Sequence, residues 1–280
     1  MKVRVIWKPG GLLGHHRVEE ADAPPQALVD VHSHILWGLD DGPSDLNQSL
    51  AMLQVAAEHG TTDIVATPRA SFEYRFDPRI VAQRLEELRA RSDGAIRIHA
   101  GCAFHFGFDN IRDALANPHK YTINGLNFLL VEFPDLLVPP GAEKILDNFR
   151  KQGLVPVISQ PERNSMLQHS MERMQAWVSM GCMVQVTARS LSGHFGKIEQ
   201  RCAWDLLRTG TAHLIASGAR DLLYNPPRLD AAWRLVKREL GEDAAQKLLI
   251  DNPSAVVHGR ALGRKPVAQF TLDRRAVSGS

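Results

Sequence analysis

Cysteine is scarce in this 280-residue chain, and its three occurrences, Cys102, Cys182 and Cys202, are odd in number and lack Cys-x-x-Cys spacing. That excludes a disulfide framework and a structural zinc knuckle, and a reducing, cytoplasmic compartment is expected. An excess of one charge is missing too: 33 basic residues face 31 acidic ones, a formal net charge of +2. With no polybasic block to follow a phosphate backbone, nucleic acid is not the expected partner. No apolar run approaches the ~20 residues that cross a bilayer, so no membrane span is expected. Gly-x-Gly-x-x-Gly does not follow the first apolar run, which argues against a doubly wound dinucleotide fold.

What is present is 44% hydrophobic residues, enough for a full core in one domain. Residues 1–26, with Gly10-Gly11, His15-His16 and Pro24-Pro25, read as a loosely ordered extension. Residues 27–262 read as the folded domain and residues 263–280 as a tail. Inside the domain, seven short β-branched runs are expected as strands: around Asp30, then 63–67, 96–101, 128–133, 155–159, 183–187 and 213–217. Between them lie helix patterns over 44–58, 77–91, 142–152, 166–180 and 195–208, several closed by glycine. Strand-helix repetition of this kind predicts a parallel sheet, and seven units in one domain predict an α/β barrel.

In such a barrel the chemistry collects at the C-terminal strand ends. The first strand delivers His32-Ser33-His34, followed by Asp40-Asp41-Gly42-Pro43. Residues two apart on a strand share a face, so His32 and His34 aim two imidazoles at one point, as a divalent metal requires. The same pair also reads as two satisfied core histidines. Later strand ends carry Arg69, Ala103, Glu132, Gln160 with Arg163, Arg189, and Gly218 with Arg220. One such arginine reads as solvated, whereas four on one rim predict an anion site. His105 is expected to face this pocket without ligating; His59 reads as a helix end, His99 and His119 as strand and loop surface, His169 as lying within a helix pattern, and Trp177, Trp204 and Trp233 as packing residues.

From about Leu28 to Leu262 the chain resembles the polymerase and histidinol phosphatase (PHP) superfamily, specifically the bacterial protein-tyrosine phosphatases of capsule and exopolysaccharide synthesis. The residues that carry the resemblance are Asp30-Val31-His32-Ser33-His34, Asp40-Asp41-Gly42-Pro43, Phe104-His105-Phe106-Gly107, Val131-Glu132-Phe133, Pro161-Glu162-Arg163-Asn164 and Ile250-Asp251-Asn252-Pro253. The resemblance implies a distorted seven-stranded (β/α) TIM-like barrel and a cluster of divalent ions, commonly manganese, with iron or zinc as alternatives. It further implies metal-dependent hydrolysis of phosphotyrosine on a protein such as a bacterial tyrosine kinase tail. By the same resemblance His32, His34, Asp41 and Glu132 are residual metal ligands, and Arg163 binds the substrate phosphate.

Five of the nine ligand positions implied by the resemblance are replaced here, by Arg69, Ala103, Gln160, Gly218 and Arg220. Alanine, glycine and guanidinium cannot donate to a metal, and arginine stays charged and repels one. Removing the ions would leave Asp41 and Glu132 unpaired, which Arg69 and Arg220 could offset. Three outcomes stay open. The chain is an inactive or impaired phosphatase homologue, or a metal-free binder of a phosphorylated or otherwise anionic partner through Arg69, Arg163, Arg189 and Arg220, or a phosphohydrolase retaining one metal.

Overall fold

The computed structural model describes residue 25 and residues 27–262; the expected extension, Pro25 apart, and the expected tail lie outside the described residues. Strands and helices alternate from the start. β1 (Leu28–Ser33) leads to α1 (Leu46–Glu58), whose first turn is closed by Asp45 accepting the Gln48 N–H at 3.0 Å. β2 (Thr61–Ala66) and β3 (Arg69–Ala70) precede α2 (Pro78–Arg91), which is capped by Asp77 and opens on a proline that needs no N–H partner. β4 (Arg97–Ala100), β5 (Ala103–His105) and α3 (Phe108–Ala116) follow, then β6 (Phe128–Glu132) with α4 (Ala142–Lys151) and β7 (Val155–Ser159) with α5 (Met171–Ser179). The chain continues through β8 (Met183–Thr187), α6 (Ala188–Leu191), α7 (Lys197–Arg208) and β9 (Leu214–Ala216), and closes with α8 (Asp230–Leu240), α9 (Glu242–Gln246) and α10 (Asn252–Val257).

Among the described residues every strand pairing is parallel, and the ladders form two sheets, β1-β2-β4 and β3-β5-β6-β7-β8-β9. The expected single closed ladder of seven strands is therefore not what the hydrogen bonds draw. Two of the seven expected strands, 63–67 and 96–101, are each followed past a two-residue break by a further short strand: β3 beyond Thr67-Pro68, where proline offers no N–H to a ladder, and β5 beyond Gly101-Cys102. A side chain on Gly101 would place its Cβ 2.7 Å from Val65 Cγ1, so the two chains approach closely there. The sheets are covalently continuous at these breaks. On the far side a single bridge, Ser33 to Ala219, joins them, with His34 N–H donating to the Ala219 carbonyl and Gly218 N–H to that of His32, both at 2.8 Å.

Alternation along the strands sorts the core. On β6, Leu129 and Val131 pack with Phe104, Phe149 and Trp177 beneath the helices. Phe128 and Leu130 face the other way, into a cluster with Val157, Leu214 and Val256 and Val257 of α10. A third cluster joins α1 and α2 to β2 and β4 through Met52, Ile64, Leu85 and Ile98. Each fully buried side chain of this size contributes about 1.5–3 kcal/mol. The expected packing role of Trp177, Trp204 and Trp233 fits their burial in the first cluster.

Candidate functional site

Register builds the site. His105, Glu132, Ser159 and Gln185 are successive cross-strand neighbours on β5, β6, β7 and β8. The last three converge on His32 from β1. Its Nδ1 lies 3.1 Å from Gln185 Oε1 and 3.0 Å from Ser159 Oγ, and its Nε2 lies 3.5 Å from Glu132 Oε1. The Gln185 amide donates to the Val186 carbonyl, so its Oε1 is left to accept from Nδ1 in the tautomer that leaves a lone pair on Nε2, while Gln160 Nε2, 3.3 Å from the same Nδ1, is placed to donate to it in the other. Burial pushes the His32 pKa down to about 4, although Glu132 pulls the other way.

His34 is built on the same plan. Its Nδ1 sits 2.6 Å from Asp40 Oδ2, and the two rings are 5.3 Å apart. Asp40 also accepts the backbone N–H of Arg69 at 2.8 Å and of Gly42 at 3.0 Å. Burial alone would raise the Asp40 carboxyl, but His34 and these two N–H groups bring its pKa down to about 2. Both Nε2 atoms, on His32 and His34, are buried without a hydrogen-bond partner.

Arginine fills the space between the carboxylates. Arg69 Nε lies 3.2 Å from Glu132 Oε2 while its Nη1 lies 3.2 Å from Asp41 Oδ1, and Arg220 Nη1 lies 2.5 Å from Asp41 Oδ2. Burial raises the Glu132 pKa, yet His32 and Arg69 outweigh it and hold it at about 2. Ala103 is the cross-strand partner of Arg69 and offers only a methyl group. Gln160 adopts a left-handed backbone (φ +50°); its Oε1 accepts from Arg163 Nη1 at 3.0 Å. Gly218 is also left-handed (φ +58°), and a Cβ there would lie 3.0 Å from Gln160 Nε2, so two of the replaced positions touch.

Arg163 stacks its guanidinium 4.2 Å above the Phe195 ring and has no carboxylate at ion-pair distance among the described residues. Burial and the nearby Arg220 lower its pKa. Arg69, His105, Glu132, Ser159, Arg163 and Arg220 line one cavity of about 660 Å³. Arg189 does not join them. It lies in the first turn of the short helix α6, which turns it toward the Tyr224 carbonyl and to His194 Nδ1 at 2.7 Å, so three arginines share the cavity where four were expected on one rim.

Sequence reasoning missed Asp40, Ser159, Gln185 and Glu162. Their signal was faint: a second aspartate beside Asp41, and polar residues at the end of β7 and the middle of β8. Glu162 is fully buried, with Oε1 accepting from Thr187 N–H and Ser190 Oγ, each at 2.8 Å. It fastens the turn Pro161–Arg163, which carries the phosphate-binding candidate, onto the end of β8.

The donor set decides what metal chemistry fits. His32, His34 and Glu132 each offer a ligand atom within 4.8 Å of the others, and the two free Nε2 lone pairs suit one divalent ion. A cluster of ions does not fit, because Asp41 and the second Glu132 oxygen are both committed to the Arg69 guanidinium. A second grouping, His34 with Asp40 and Asp41, shares that conflict at Asp41.

Residues 28–258 match the family model for capsular polysaccharide synthesis, CpsB/CapC. The chain belongs to this family. It is 30% identical to the CapC protein of Staphylococcus aureus over 203 residues, covering 71% of this chain and 79% of that one. With the tyrosine-protein phosphatase YwqE of Bacillus subtilis the identity is 27% over 243 residues, covering 85% and 95%. A solved structure, from a description of YwqE and the CpsB of Streptococcus pneumoniae as metal-dependent tyrosine phosphatases, superposes with a TM-score of 0.80 at 26% identity, covering 85% of this chain and 98% of that one. The mixed α/β fold of parallel sheets is thus the CpsB/CapC fold, within the PHP superfamily.

Proposed function

We propose that this CpsB/CapC family member binds phosphotyrosine on a protein partner through guanidinium groups, and that its metal-dependent turnover is lost or strongly impaired. One observation carries the reading: the Arg69 guanidinium lies 3.2 Å from both Glu132 and Asp41, so a fixed cation neutralises the carboxylates that ions would otherwise bridge. Arg163 is left to present its fork of donors to a phosphoryl group. The two sheets we read as one distorted seven-stranded barrel over residues 27–262, closed at the Ser33–Ala219 bridge. The partner in this reading is a bacterial tyrosine kinase tail of capsule or exopolysaccharide synthesis, met in the cytoplasm.

A second reading, favoured by the two unpartnered Nε2 atoms, keeps one ion of manganese, iron or zinc on His32, His34 and Glu132. Such an ion supplies a Lewis acid for a phosphoryl oxygen. Asp40 and Gln185 orient the two imidazoles toward it, and Arg163 positions the phosphate.

Elemental analysis after loading with each metal, beside a phosphatase assay and phosphotyrosine-peptide binding in chelator, separates the two. The first reading expects peptide binding in chelator without turnover, weakened roughly 10- to 100-fold in Arg163→Ala. Stoichiometric metal with chelator-sensitive turnover overturns it in favour of the second.

A further inference from the structure

The charges around the cavity do not suit an isolated phosphate. On its floor Arg69 and Arg220 are already matched by Glu132 and Asp41. The exposed Glu73 and Asp135 and the half-buried Glu199, which accepts from Gln168 Nε2 at 3.2 Å, line the same cavity, and no lysine or arginine forms an ion pair with any of them among the described residues. Three lining guanidinium groups therefore face four lining carboxylates. A bare dianion approaching this mouth meets repulsion before it reaches Arg163, whereas a ligand that surrounds its anion with cations is matched at both depths.

The acidic groups come from separate elements: Glu73 from the loop after β3, Asp135 from the loop after β6, and Glu199 from the first turn of α7. Arg163 follows β7, so in the order β3-β5-β6-β7-β8 the Glu73 and Asp135 loops come from strands on one side of it and α7 follows the strand on the other. Apolar surface accompanies them. Phe72 and Leu136, each adjacent in sequence to one of these acids, also line the cavity and stand fully and 77% exposed.

We infer that the occupant is a peptide segment with lysine or arginine flanking its phosphorylated residue: the phosphoryl group reaches Arg163, the flanking cations meet Glu73, Asp135 and Glu199, and apolar side chains rest on Phe72 and Leu136. This rests on the phosphotyrosine-binding reading above and adds a sequence preference to it.

Three labelled peptides of equal length, with lysine, serine or glutamate on both sides of phosphotyrosine, test it by fluorescence anisotropy on the full chain. The lysine-flanked peptide is expected to bind about tenfold or more tighter than the glutamate-flanked one, and the ratio should fall with added salt. The triple variant Glu73→Gln, Asp135→Asn, Glu199→Gln should bring the ratio close to one. If that variant does not fold, the single changes at the exposed Glu73 and Asp135 should each lower the ratio. Binding of all three peptides within about twofold of one another, or a ratio unmoved by the variants, overturns the inference and leaves the phosphotyrosine reading standing. Failure of every peptide to bind overturns both.

Discussion

Arg69 and Glu132 form an ion pair with Nε 3.2 Å from Oε2, and the same guanidinium spans to Asp41. Their side chains are only 17% and 13% exposed, so neither charge is well served by water if the other is removed. Removing Arg69 leaves Glu132 with only the His32 imidazole, 3.5 Å away, at ion-pair distance among the described residues. Removing Glu132 leaves Arg69 with Asp41. Arg69→Ala is therefore expected to cost about 3 kcal/mol, and Glu132→Ala clearly less, as read by denaturant unfolding. Equal costs would show that Asp41 does not share the guanidinium.

The Asp40–His34 contact carries an acid dependence. The Asp40 carboxyl ionises at about 2 in the fold against 3.8 ordinarily, so the folded state holds the proton less readily than the unfolded one. Its contribution, about 2 kcal/mol, is complete above about pH 4 and is lost as pH falls through about 2. Unfolding free energies from about pH 6 down to about pH 2 should show the gap between wild type and Asp40→Asn closing toward acid. A gap independent of pH would refute the pairing.

Gln160 and Gly218 should behave as one unit. Gly218→Ala forces a side chain into a left-handed position and against Gln160 Nε2, and is expected to cost about 1–2 kcal/mol. In a Gln160→Ala background the contact is gone, and the cost should drop by about 1 kcal/mol in a double-mutant cycle. Strict additivity would place the two side chains apart.

Restoring donors at all five replaced positions, with Arg69→His, Ala103→Glu, Gln160→His, Gly218→Asp and Arg220→His together, removes two guanidinium groups and supplies the missing ligands. Bound manganese by elemental analysis and turnover of a phosphotyrosine peptide should both rise. A restored chain that folds yet gains no metal would mean these strand ends do not face one another as described.

Much of this architecture was legible because it is local. The apolar run at 128–133 and the pattern at 44–58 became β6 and α1, as alternation and the cap at Asp45 dictate. The opening His32-Ser33-His34 could likewise be read from residue chemistry, and the pairing of Arg69 and Arg220 with Glu132 and Asp41 from the ligand positions that the family resemblance implies. The break at Gly101 could not, since it depends on the close approach of Val65 from the neighbouring β2. Nor could the partner of His32: Gln185 lies 153 positions away, and only the register of β6, β7 and β8 brings it to the imidazole. Arg189 failed for a local reason, because the helical turn that begins at Ala188 swings it out of line with the other strand-end arginines.

The lone bridge between Ser33 and Ala219 has a bearing on how the molecule breathes. Elsewhere each sheet is stitched by several backbone bonds, but along this seam the backbones are joined by two amides, those of His34 and Gly218, and by Ser217 with Asp30 and the His32 carbonyl, beside the reach of the His32 ring to Gln185 and Ser159. Parting it separates His32 from Gly218 and leaves both sheets whole. Native-state hydrogen exchange should accordingly find these two amides opening together and earlier than those of β6 and β7, a gate whose swing admits water to the two histidines before any strand is lost.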